Sequence, residues 1–455
     1  MPTVAHPDAL HRLVKQAIDS GAAETVAAAQ AMFEGYRLIV EFTPASPSDP
    51  LQQAMLLTTV ALGRRVFLGG VTVIGMTGGP NASRLPFGST IREAVEALGA
   101  RCADFAEGEA PVIVIGPARI RRSAFAVRPV AAGWRAGILP AHSGLEPQPG
   151  APMPLAAMAA AALAVNEAFL HVNSGATAAG RRAIGLSLWR LQTDVDWLVR
   201  DADEPELTFL PSALWLIGLG HLGQAYLWGL GLLPYGDPRA LRLVLQDIDD
   251  ITTSTESTSI LSDAALVGTQ KTRAMAAWAE RRGFQAAIHE RLFDASFRRQ
   301  PSEPPIAICG LDNALGRQAL DQVGFDLVVE AGLGRGHRDF RTMRLHTLPG
   351  SRSSAEMWKA VPVAEAVDGR PAYTHLLAEG ALDRCGMTLL AGKAVGAPFV
   401  GAFAATLALT EVLRLLHGGP VHGLVDVDLL SLEQRVATRH ATGFTTLNPG
   451  FTLAE

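Results

Sequence analysis

Three glycines after an apolar run are the first residues whose spacing indicates chemistry. Residues 213–217 (ALWLI) lead directly into Gly218, Gly220 and Gly223, and a helical pattern follows. Glycine permits a tight turn and a close approach of the backbone to a phosphate. The start of the helix adds free N–H groups and a favourable dipole. The arrangement predicts a nucleotide site, and a strand–helix turn that needs only close packing is the alternative.

Charged residues further along fit the same site. The next apolar run ends at Asp247, with Asp249 two residues later, and a carboxylate there can accept hydrogen bonds from ribose hydroxyls. Lys271 opens the following helical pattern, where its ammonium group could contact a phosphate. A solvated lysine at a helix end is the ordinary alternative. The glycine pattern alone does not separate a dinucleotide from ATP, so the downstream residues carry that distinction.

A further acidic residue follows a third apolar run, which ends near Cys309. Asp312 and Asn313 come shortly after this run, and Arg317 follows four residues later. A carboxylate at the carboxyl end of a strand, facing the same crevice as the glycines, suits a magnesium ion that bridges phosphates. Asp312 could instead cap a helix, and the two roles are compatible.

The three cysteines, Cys102, Cys309 and Cys385, lie far apart and form no Cys-x-x-Cys, which excludes a disulfide scaffold and a four-cysteine zinc site. Cys309 lies inside an apolar run and is predicted to be a buried thiol, and a structural role is also favoured for Cys102. Cys385 has Arg384 beside it and Gly392 nearby. A cationic neighbour in a mobile loop favours the nucleophilic thiolate, and an inconsequential surface cysteine is the alternative.

These residues need a layered α/β fold to bring them together. Strand-like runs alternate with helical patterns along the whole chain, which predicts a mostly parallel sheet. The predicted strands are 37–42, 70–75, 111–115, 136–140, 213–217, 242–247, 305–309, 326–330 and 341–347. The predicted helices are 8–35, 51–63, 88–99, 155–171, 221–233, 268–282, 312–323 and 398–417. Residues 348–384 are predicted to be a long, partly ordered crossover.

A weak internal repeat indicates how the chain is divided. The alanine-rich stretches 158–170 and 402–414 share several residues when they are aligned without gaps. A biased composition could produce this coincidence, and a duplicated α/β domain is the other explanation. The predicted domains are 1–205, a degenerate and inactive copy without the nucleotide motifs, and 206–455, the active copy.

Composition excludes several classes of protein. The chain has 455 residues, 48% hydrophobic and 18% charged, with a net charge of −5. No polyanion-binding signature is present, so nucleic acid is not an expected partner. The beginning of the sequence lacks a signal-peptide pattern, and the longest apolar stretches (155–170 and 398–416) contain polar residues and are predicted to be buried helices. The expectation is a soluble cytoplasmic protein that does not bind membranes.

Taken in order, these motifs resemble those of the ThiF/MoeB and ubiquitin-activating superfamily over residues 206–418. The segment EAGLGRG at 330–336 and a late alanine-rich helix that contains Glu411 complete the pattern. The resemblance implies a Rossmann-like adenylation domain that uses ATP and Mg²⁺. The nucleotide-binding residues that it implies are Gly218, Gly220, Gly223, Asp247, Asp249, Lys271, Asp312, Asn313 and Arg317.

The sequence CGMT at 385–388 is similar to the catalytic-cysteine region of autophagy-type activating enzymes, which have a short crossover. This similarity implies that Cys385 accepts the activated glycine of a ubiquitin-like protein as a thioester. The implied catalytic residues are therefore Cys385, Lys271 and Asp312, with Asp312 as the Mg²⁺ ligand. Because no Cys-x-x-Cys pair is present, no zinc is expected.

One departure from the family pattern concerns the triphosphate. The family continues its D-x-D with S-N-L-x-R-Q, but the segment 247–261 here reads DIDDITTSTESTSIL and contains no arginine. Another basic residue must then meet the triphosphate charge. Arg317 is one candidate, and Arg181 and Arg182 in the other half, or a residue of a second subunit, are further ones.

The expected function is activation of a ubiquitin-like protein by adenylation of its C-terminal glycine, thioester formation and transfer to a conjugating enzyme. The superfamily works as dimers, so a homodimer or an internal pseudodimer is expected. A bacterial antiviral role is suggested by analogy alone. Three alternatives stay open: a related adenylyltransferase for a sulfur carrier, small molecule or RNA base, an NAD(P)-dependent dehydrogenase, and a non-catalytic nucleotide-binding scaffold.

Overall fold

The structure is a computed structural model, and it describes residues 8, 10–117, 123–359, 370–378, 384–441, 444 and 447–455. For residues 384–386 it describes the backbone alone.

A seven-stranded sheet occupies the first half of the chain. Its five leading strands run parallel to their neighbours, and the last two pair antiparallel. In spatial order the strands are β3 (Arg101–Ala103), β2 (Val71–Gly75), β1 (Leu38–Phe42), β4 (Val112–Ile115), β5 (Ala126–Ala132), β6 (Arg135–Pro140) and β7 (Ile184–Ser187). The class is therefore α/β with a sheet that is parallel in its larger part, as the alternating pattern predicts.

The second half of the chain repeats this sheet. An eight-stranded sheet has the same strand order and the same change from parallel to antiparallel pairing, with one more strand at its edge. In spatial order its strands are β11 (Gln285–His289), β10 (Arg242–Gln246), β9 (Ala213–Ile217), β12 (Ile306–Cys309), β13 (Leu327–Leu333), β14 (Thr342–Leu348), β15 (His422–Asp428) and β16 (Val436–Arg439). A small ribbon pairs β8 (Phe209–Pro211) with β17 (Phe451–Leu453). The prediction of two related α/β folds in one chain is confirmed.

Helices cover the sheets and join them. Those of the first half are α1 (Lys15–Ser20), α2 (Val26–Glu34), α3 (Pro50–Gly63), α4 (Ile91–Ala97) and α5 (Pro154–Ser174). Those of the second half are α6 (His221–Leu232), α7 (Thr253–Glu256), α8 (Lys271–Arg282), α9 (Ala314–Gln318), α10 (Ser354–Met357), α11 (Pro371–Ala378), α12 (Arg384–Gly392) and α13 (Pro398–Leu416).

The two repeated helices, α5 and α13, form the shared core. They pack against each other, with the rings of Phe169 and Phe399 6.0 Å apart. Both helices are long and apolar enough to cross a membrane, yet 89% of each apolar window is buried inside the protein. Helix α6 joins them at Gly229, where an added Cβ would lie 2.5 Å from Leu409 Cδ1 and 3.2 Å from Leu155 Cδ2. The prediction that these two stretches are buried helices is confirmed.

Several predicted elements have different bounds. The helix predicted over 8–35 is broken because Gly21 adopts a left-handed φ of 76°, and Thr25 then caps α2. The helix predicted over 312–323 begins only at Ala314, with Asn313 as its N-cap. The strands β3, β5, β7, β8, β11, β15, β16 and β17 were not predicted.

The start of the chain lies against the second half. The backbone N–H of Arg12 donates to Ser257 Oγ at 3.0 Å, and its guanidinium donates to the carbonyl of Ala394 at 2.9 Å. From the end of α3, Arg65 Nε donates to the carbonyl of Glu256 at 2.9 Å. The first half therefore contacts the segment in which the family arginine is missing.

Candidate nucleotide site

The glycine turn after β9 has the geometry that its sequence predicts. Gly218 has a φ of 82°, a conformation that favours glycine. An added Cβ at Gly223 would lie 2.0 Å from the carbonyl oxygen of Gly218, so any side chain there would separate the helix from the turn. Gly220 is the N-cap of α6, and within the described residues no side chain caps this helix. The N–H groups at the start of α6 therefore face outward, as binding of an anion requires.

A carboxylate fixes the turn from the neighbouring strand. Asp247 follows β10, and its Oδ2 accepts from the backbone N–H of Leu219 at 2.6 Å. Its Oδ1 accepts from the N–H of Asp249 at 2.9 Å. Lys271 at the start of α8 completes the group, because its Nζ donates to Asp249 Oδ2 at 2.8 Å and lies 3.7 Å from Asp247 Oδ1. The structure thus brings Gly218, Gly220, Asp247, Asp249 and Lys271 together at the carboxyl end of the sheet.

The loop after β12 lies beside the glycine turn. The N–H of Gly310 donates to the carbonyl of Ile217 at 2.8 Å, which joins β12 to β9. Asn313 Oδ1 accepts from Gly316 N at 2.7 Å, so Asn313 and not Asp312 caps α9. The helix-cap alternative for Asp312 is therefore wrong. Asp312 is exposed at the same edge of the sheet as Asp247, where a carboxylate can meet a ligand.

Arg317 holds the loop that follows β12 in place through contacts with the backbone and with a buried carboxylate. Its Nε donates to the carbonyl of Leu311 at 2.8 Å and lies 3.1 Å from Oε1 of Glu330, a residue with 1% exposure. Glu330 Oε2 is 3.2 Å from Nδ1 of His346. Gly332 of the EAGLGRG segment makes room for the arginine, because an added Cβ would lie 3.1 Å from Arg317 Nη1. Binding of the nucleotide by Arg317 stays a prediction, and these contacts indicate that it also positions the loop.

A residue that the motifs did not indicate interacts electrostatically with Asp312. Burial lowers the pKa of Arg12, and the nearby carboxylates of Asp8 and Asp312 act in the opposite direction. Arg12 therefore belongs electrostatically to the group around Asp312, although it is 300 residues away in the sequence. Arg182, one of the sequence candidates, instead pairs with Glu433 at 2.5 Å. The sequence did indicate that a basic residue from elsewhere was needed, because the family arginine is missing from 247–261. Arg12 contacts that segment through Ser257.

The matching position of the first half is closed to an anion. Helix α3 corresponds to α6 because each follows the central strand of its sheet. The N-cap of α3 is Asp49, and its Oδ1 accepts from Leu51 N at 2.9 Å and from Gln52 N at 3.2 Å. A carboxylate thus occupies the place where α6 offers free N–H groups, and it would repel a phosphate. This contrast supports the prediction that the first half is the inactive copy.

Cys309 and Cys102 have the surroundings of structural thiols. Cys309 is fully buried, which confirms the prediction for it, and burial raises its pKa to about 12. Cys102 is partly buried, and burial raises its pKa as well. Cys385 is the second residue of α12, so the prediction that it lies in a mobile loop is wrong; its side chain lies outside the described residues. Its position at a helix start is one where the helix dipole favours a thiolate.

Two histidines near the site make stability depend on pH. Burial lowers the pKa of both His221 and His11 from 6.5 to about 4. Part of the His221 side chain reaches the surface, but Nε2 is buried and an added Cβ at Gly401 would lie 2.2 Å from it. The folded chain thus keeps both rings neutral at a pH where the unfolded chain protonates them.

We therefore expect the free energy of unfolding to fall as the pH is lowered from 6.5 towards 4. Urea denaturation at a series of pH values measures it. The His11→Gln, His221→Gln double variant should show a shallower slope over the same range, and an unchanged slope would contradict the assignment to these two rings.

The acidic groups at this edge fit a metal only together with a nucleotide. Among the described residues, no group of three or more histidine, cysteine or acidic side chains could hold a metal ion by itself. Magnesium needs less from the protein, because it is commonly bound through one or two carboxylates, phosphate oxygens and water. The exposed carboxylate of Asp312 fits that second kind of site.

Comparison with known proteins places the chain in a family. Residues 37–188 match the BilD N-terminal domain, and residues 210–419 match the BilD C-terminal domain. The bacterial E1-like protein BilD of Collimonas sp. (strain OK412) is 43% identical over 436 residues, which cover 95% of this chain and 94% of that protein.

Among solved structures, E. coli MccB overlaps with a TM-score of 0.35 at 11% identity, over 51% of this chain and 64% of MccB. MccB with ATP overlaps to nearly the same extent, with a TM-score of 0.35 and 65% of its chain covered. A similarity this remote, spanning less than two thirds of MccB, says nothing about activity. The match to both domain families and the identity along almost the whole chain decide the question: this chain belongs to the BilD family of bacterial E1-like proteins.

Proposed function

We propose that this protein activates the C-terminal glycine of a ubiquitin-like protein with ATP, accepts it as a thioester on Cys385 and passes it to a conjugating enzyme. The observation that carries the proposal is the uncapped start of α6, which is surrounded by Asp247, Lys271 and Asp312. The E1-like relative supports the same direction. The crossover without a large inserted domain suggests the autophagy type.

In the first step a carboxylate oxygen of the glycine attacks the α-phosphorus of ATP. The bond from that phosphorus to the bridging oxygen breaks, and pyrophosphate leaves with the electron pair. The N–H groups at Gly220 and the start of α6 would hold phosphate oxygens, and Asp247 would keep the glycine turn in place through Leu219. Lys271 and Arg12 would balance the negative charge that builds up at the phosphates.

Magnesium, when it is bound with ATP, would be held by Asp312 and would neutralise phosphate charge. The protein's own cations would add to this effect, Lys271 from the second half and Arg12 from the start of the chain. The chain's main contribution is to keep these charges in place before the substrates arrive, so that no reorganisation is needed during the reaction.

In the second step the sulfur of Cys385 attacks the carbonyl carbon of the acyl-adenylate, and AMP leaves with the electron pair. The thiol proton goes to solvent when the thiolate forms. The position of Cys385 in the first turn of α12 supports this step, since a helix start favours a thiolate. The thioester is then reactive enough to be transferred to the conjugating enzyme.

The paired sheets would serve as an internal pseudodimer, with residues 1–205 as the inactive copy and 206–455 as the active copy. The packing of α5 on α13 supports this arrangement. In this proposal the protein works in the cytoplasm with a ubiquitin-like protein and a conjugating enzyme as partners. A place in antiviral defence is part of the same proposal and rests on the analogy alone.

The test is non-reducing electrophoresis of the protein with ATP, Mg²⁺ and a ubiquitin-like protein that ends in glycine. We expect an adduct that thiols remove in wild type and that is absent in Cys385→Ala. ATP–pyrophosphate exchange is measured on both proteins and should persist in the variant, because adenylation precedes the thioester. Cys102→Ala is the matched control, since Cys102 is partly accessible and its removal should leave both readings unchanged.

Other results would identify the alternatives. Exchange without any adduct would leave adenylation standing and remove Cys385 from the mechanism, as expected of an enzyme that serves a sulfur carrier or a small molecule. Binding of ATP without exchange would indicate a non-catalytic scaffold. Binding of a nicotinamide dinucleotide in preference to ATP would overturn the proposal.

A further inference from the structure

Three polar side chains are buried together between the start of the chain and the crossover. Lys15 and Asp19 lie one turn apart on α1, and Tyr373 lies on α11; all three are buried, and they form what we call the buried trio. Lys15 Nζ is 2.5 Å from Asp19 Oδ2, and the hydroxyl of Tyr373 donates to Asp19 Oδ1 at 2.7 Å. Both oxygens of one carboxylate are therefore used, one by each helix.

The trio also contacts α12. Lys15 Nζ donates to the carbonyl of Ala391, near the end of that helix, at 3.3 Å. The same ammonium group lies 5.7 Å from the centre of the Tyr373 ring. Helix α1 thus meets α11 and α12, which lie near the other end of the chain, at a single ammonium–carboxylate pair.

Apolar contacts alone would allow these helices to shift. Leu376 of α11 and Leu390 of α12 are buried in the same cluster as Leu13 and Val14, which flank the start of α1. Hydrophobic contact is non-directional and tolerates sliding. Hydrogen bonds to buried charged groups do not, because a shift of α11 or α12 would deprive Asp19 of the Tyr373 hydroxyl or Lys15 of the Ala391 carbonyl in the interior. The trio therefore selects one arrangement of α11 and α12.

Stability alone explains the trio poorly. Burying a lysine and an aspartate is costly, and an apolar set of similar volume is often as stable. The third of these helices, α12, is the one that carries Cys385 near its start. Further along, the N–H of Val395 donates to the carbonyl of Arg335 at 2.8 Å, and Gly396 N to that of Arg12 at 3.4 Å. The chain that leaves α12 is thus held at Val395 and Gly396 by the carbonyls of Arg335 and Arg12.

We propose that Lys15, Asp19 and Tyr373 are positioning residues that hold α12 so that Cys385 can receive the adenylated glycine. The inference rests on the proposed function. It adds the contacts that fix the position of the helix carrying Cys385. The trio acts on the second step only. It lies on the crossover side of α1, whereas Arg12 is the residue of this segment that acts on the nucleotide.

The test is Tyr373→Phe, which removes one hydroxyl and keeps the ring. We expect thioester formation on Cys385 in a single turnover to become about tenfold slower, because Asp19 loses a buried donor. ATP–pyrophosphate exchange should stay within about twofold, with an unchanged KM for ATP. Tyr235→Phe is the matched control, since the hydroxyl of Tyr235 is also buried and donates to the carbonyl of Pro211 at 2.9 Å.

Three outcomes overturn the inference. The rate of thioester formation could be unchanged, both steps could slow equally, or Tyr235→Phe could show the same selective loss. Lys15→Met with Asp19→Asn provides a second variant, which removes both charges while keeping an acceptor for Tyr373, and it should show the same selective loss. Absence of any thioester in wild type would instead contradict the proposed function, so the two failures are distinguishable.

Discussion

Replacing Arg12 with alanine is expected to lower ATP–pyrophosphate exchange by about 10²- to 10³-fold. The guanidinium lies within electrostatic range of Asp312 and is fixed by its contact with the Ala394 carbonyl at 2.9 Å. A cation held in this way acts on the charge that develops at the phosphates without having to move. The loss should appear in kcat more than in KM for ATP, because the charge is greatest in the transition state.

The comparison variants make this expectation specific. Arg12→Lys keeps the charge but not the planar fork, so it should recover part of the activity. Arg182→Ala is the matched control, because Arg182 is an arginine of the first half that pairs with Glu433 on the surface. Exchange at the wild-type rate in Arg12→Ala, or an equal loss in Arg182→Ala, would mean that another residue supplies the charge.

Replacing Glu411 with glutamine is expected to lower the free energy of unfolding by about 3–5 kcal/mol, the range for breaking a buried ion pair. Glu411 has 1% exposure and pairs with Arg414 on the same helix. Its second oxygen accepts from the N–H of His422 at 2.9 Å, and Arg414 donates to the carbonyl of Leu188 in the first half. The variant leaves Arg414 as an uncompensated charge at the contact between the two halves.

Acid should weaken the same contact. Burial alone would raise the pKa of Glu411, but Arg414 and His422 outweigh it, and the pKa is lowered overall. A lowered pKa means that this carboxylate stabilises the fold above its unfolded pKa and loses that effect as the pH falls through the folded value. Urea denaturation at pH 7 and pH 4 would show the difference between wild type and Glu411→Gln shrinking at the lower pH.

The repeat supplies a matched control. Glu167 occupies the equivalent place on α5, is equally buried, and accepts from Gly180 N at 2.9 Å. Burial raises its pKa, the opposite direction to Glu411. Glu167→Gln should therefore change stability by less than about 1 kcal/mol, because a neutral side chain suits its surroundings. If both variants lowered the free energy of unfolding equally, the ion pair of Glu411 would not be the cause of the destabilisation.

The sequence predicted those features of the site that depend on neighbouring residues. The turn at Gly218 and Gly223 and the carboxylate of Asp247 each follow a buried strand, and parallel strands end at one edge of a sheet. The duplicated fold could also be inferred, because α5 and α13 need small residues where they pack.

Long-range partners could not be inferred in this way. Arg12 meets Ser257 across 245 residues, and neither residue lies in a motif. Arg317 looked free to bind a phosphate because the buried carboxylate of Glu330 is recognisable only when β13 is placed beside α9. The strands β3, β7, β8, β16 and β17 were missed for a different reason, since three or four residues carry too little periodicity to separate them from loops.

The carboxylate of Asp49 has a consequence for how such a pair can evolve. In an assembly of identical subunits, any change that closes one site closes its twin as well, because a single gene encodes both. Joining the copies in one polypeptide removes that constraint. One copy can then lose its own nucleotide while an arginine near its start contributes positive charge to the site of the other copy. The carboxylate of Asp49 that blocks one site and the guanidinium of Arg12 that serves the other would then belong to one division of roles between the halves. Each chain would turn over one nucleotide at a time.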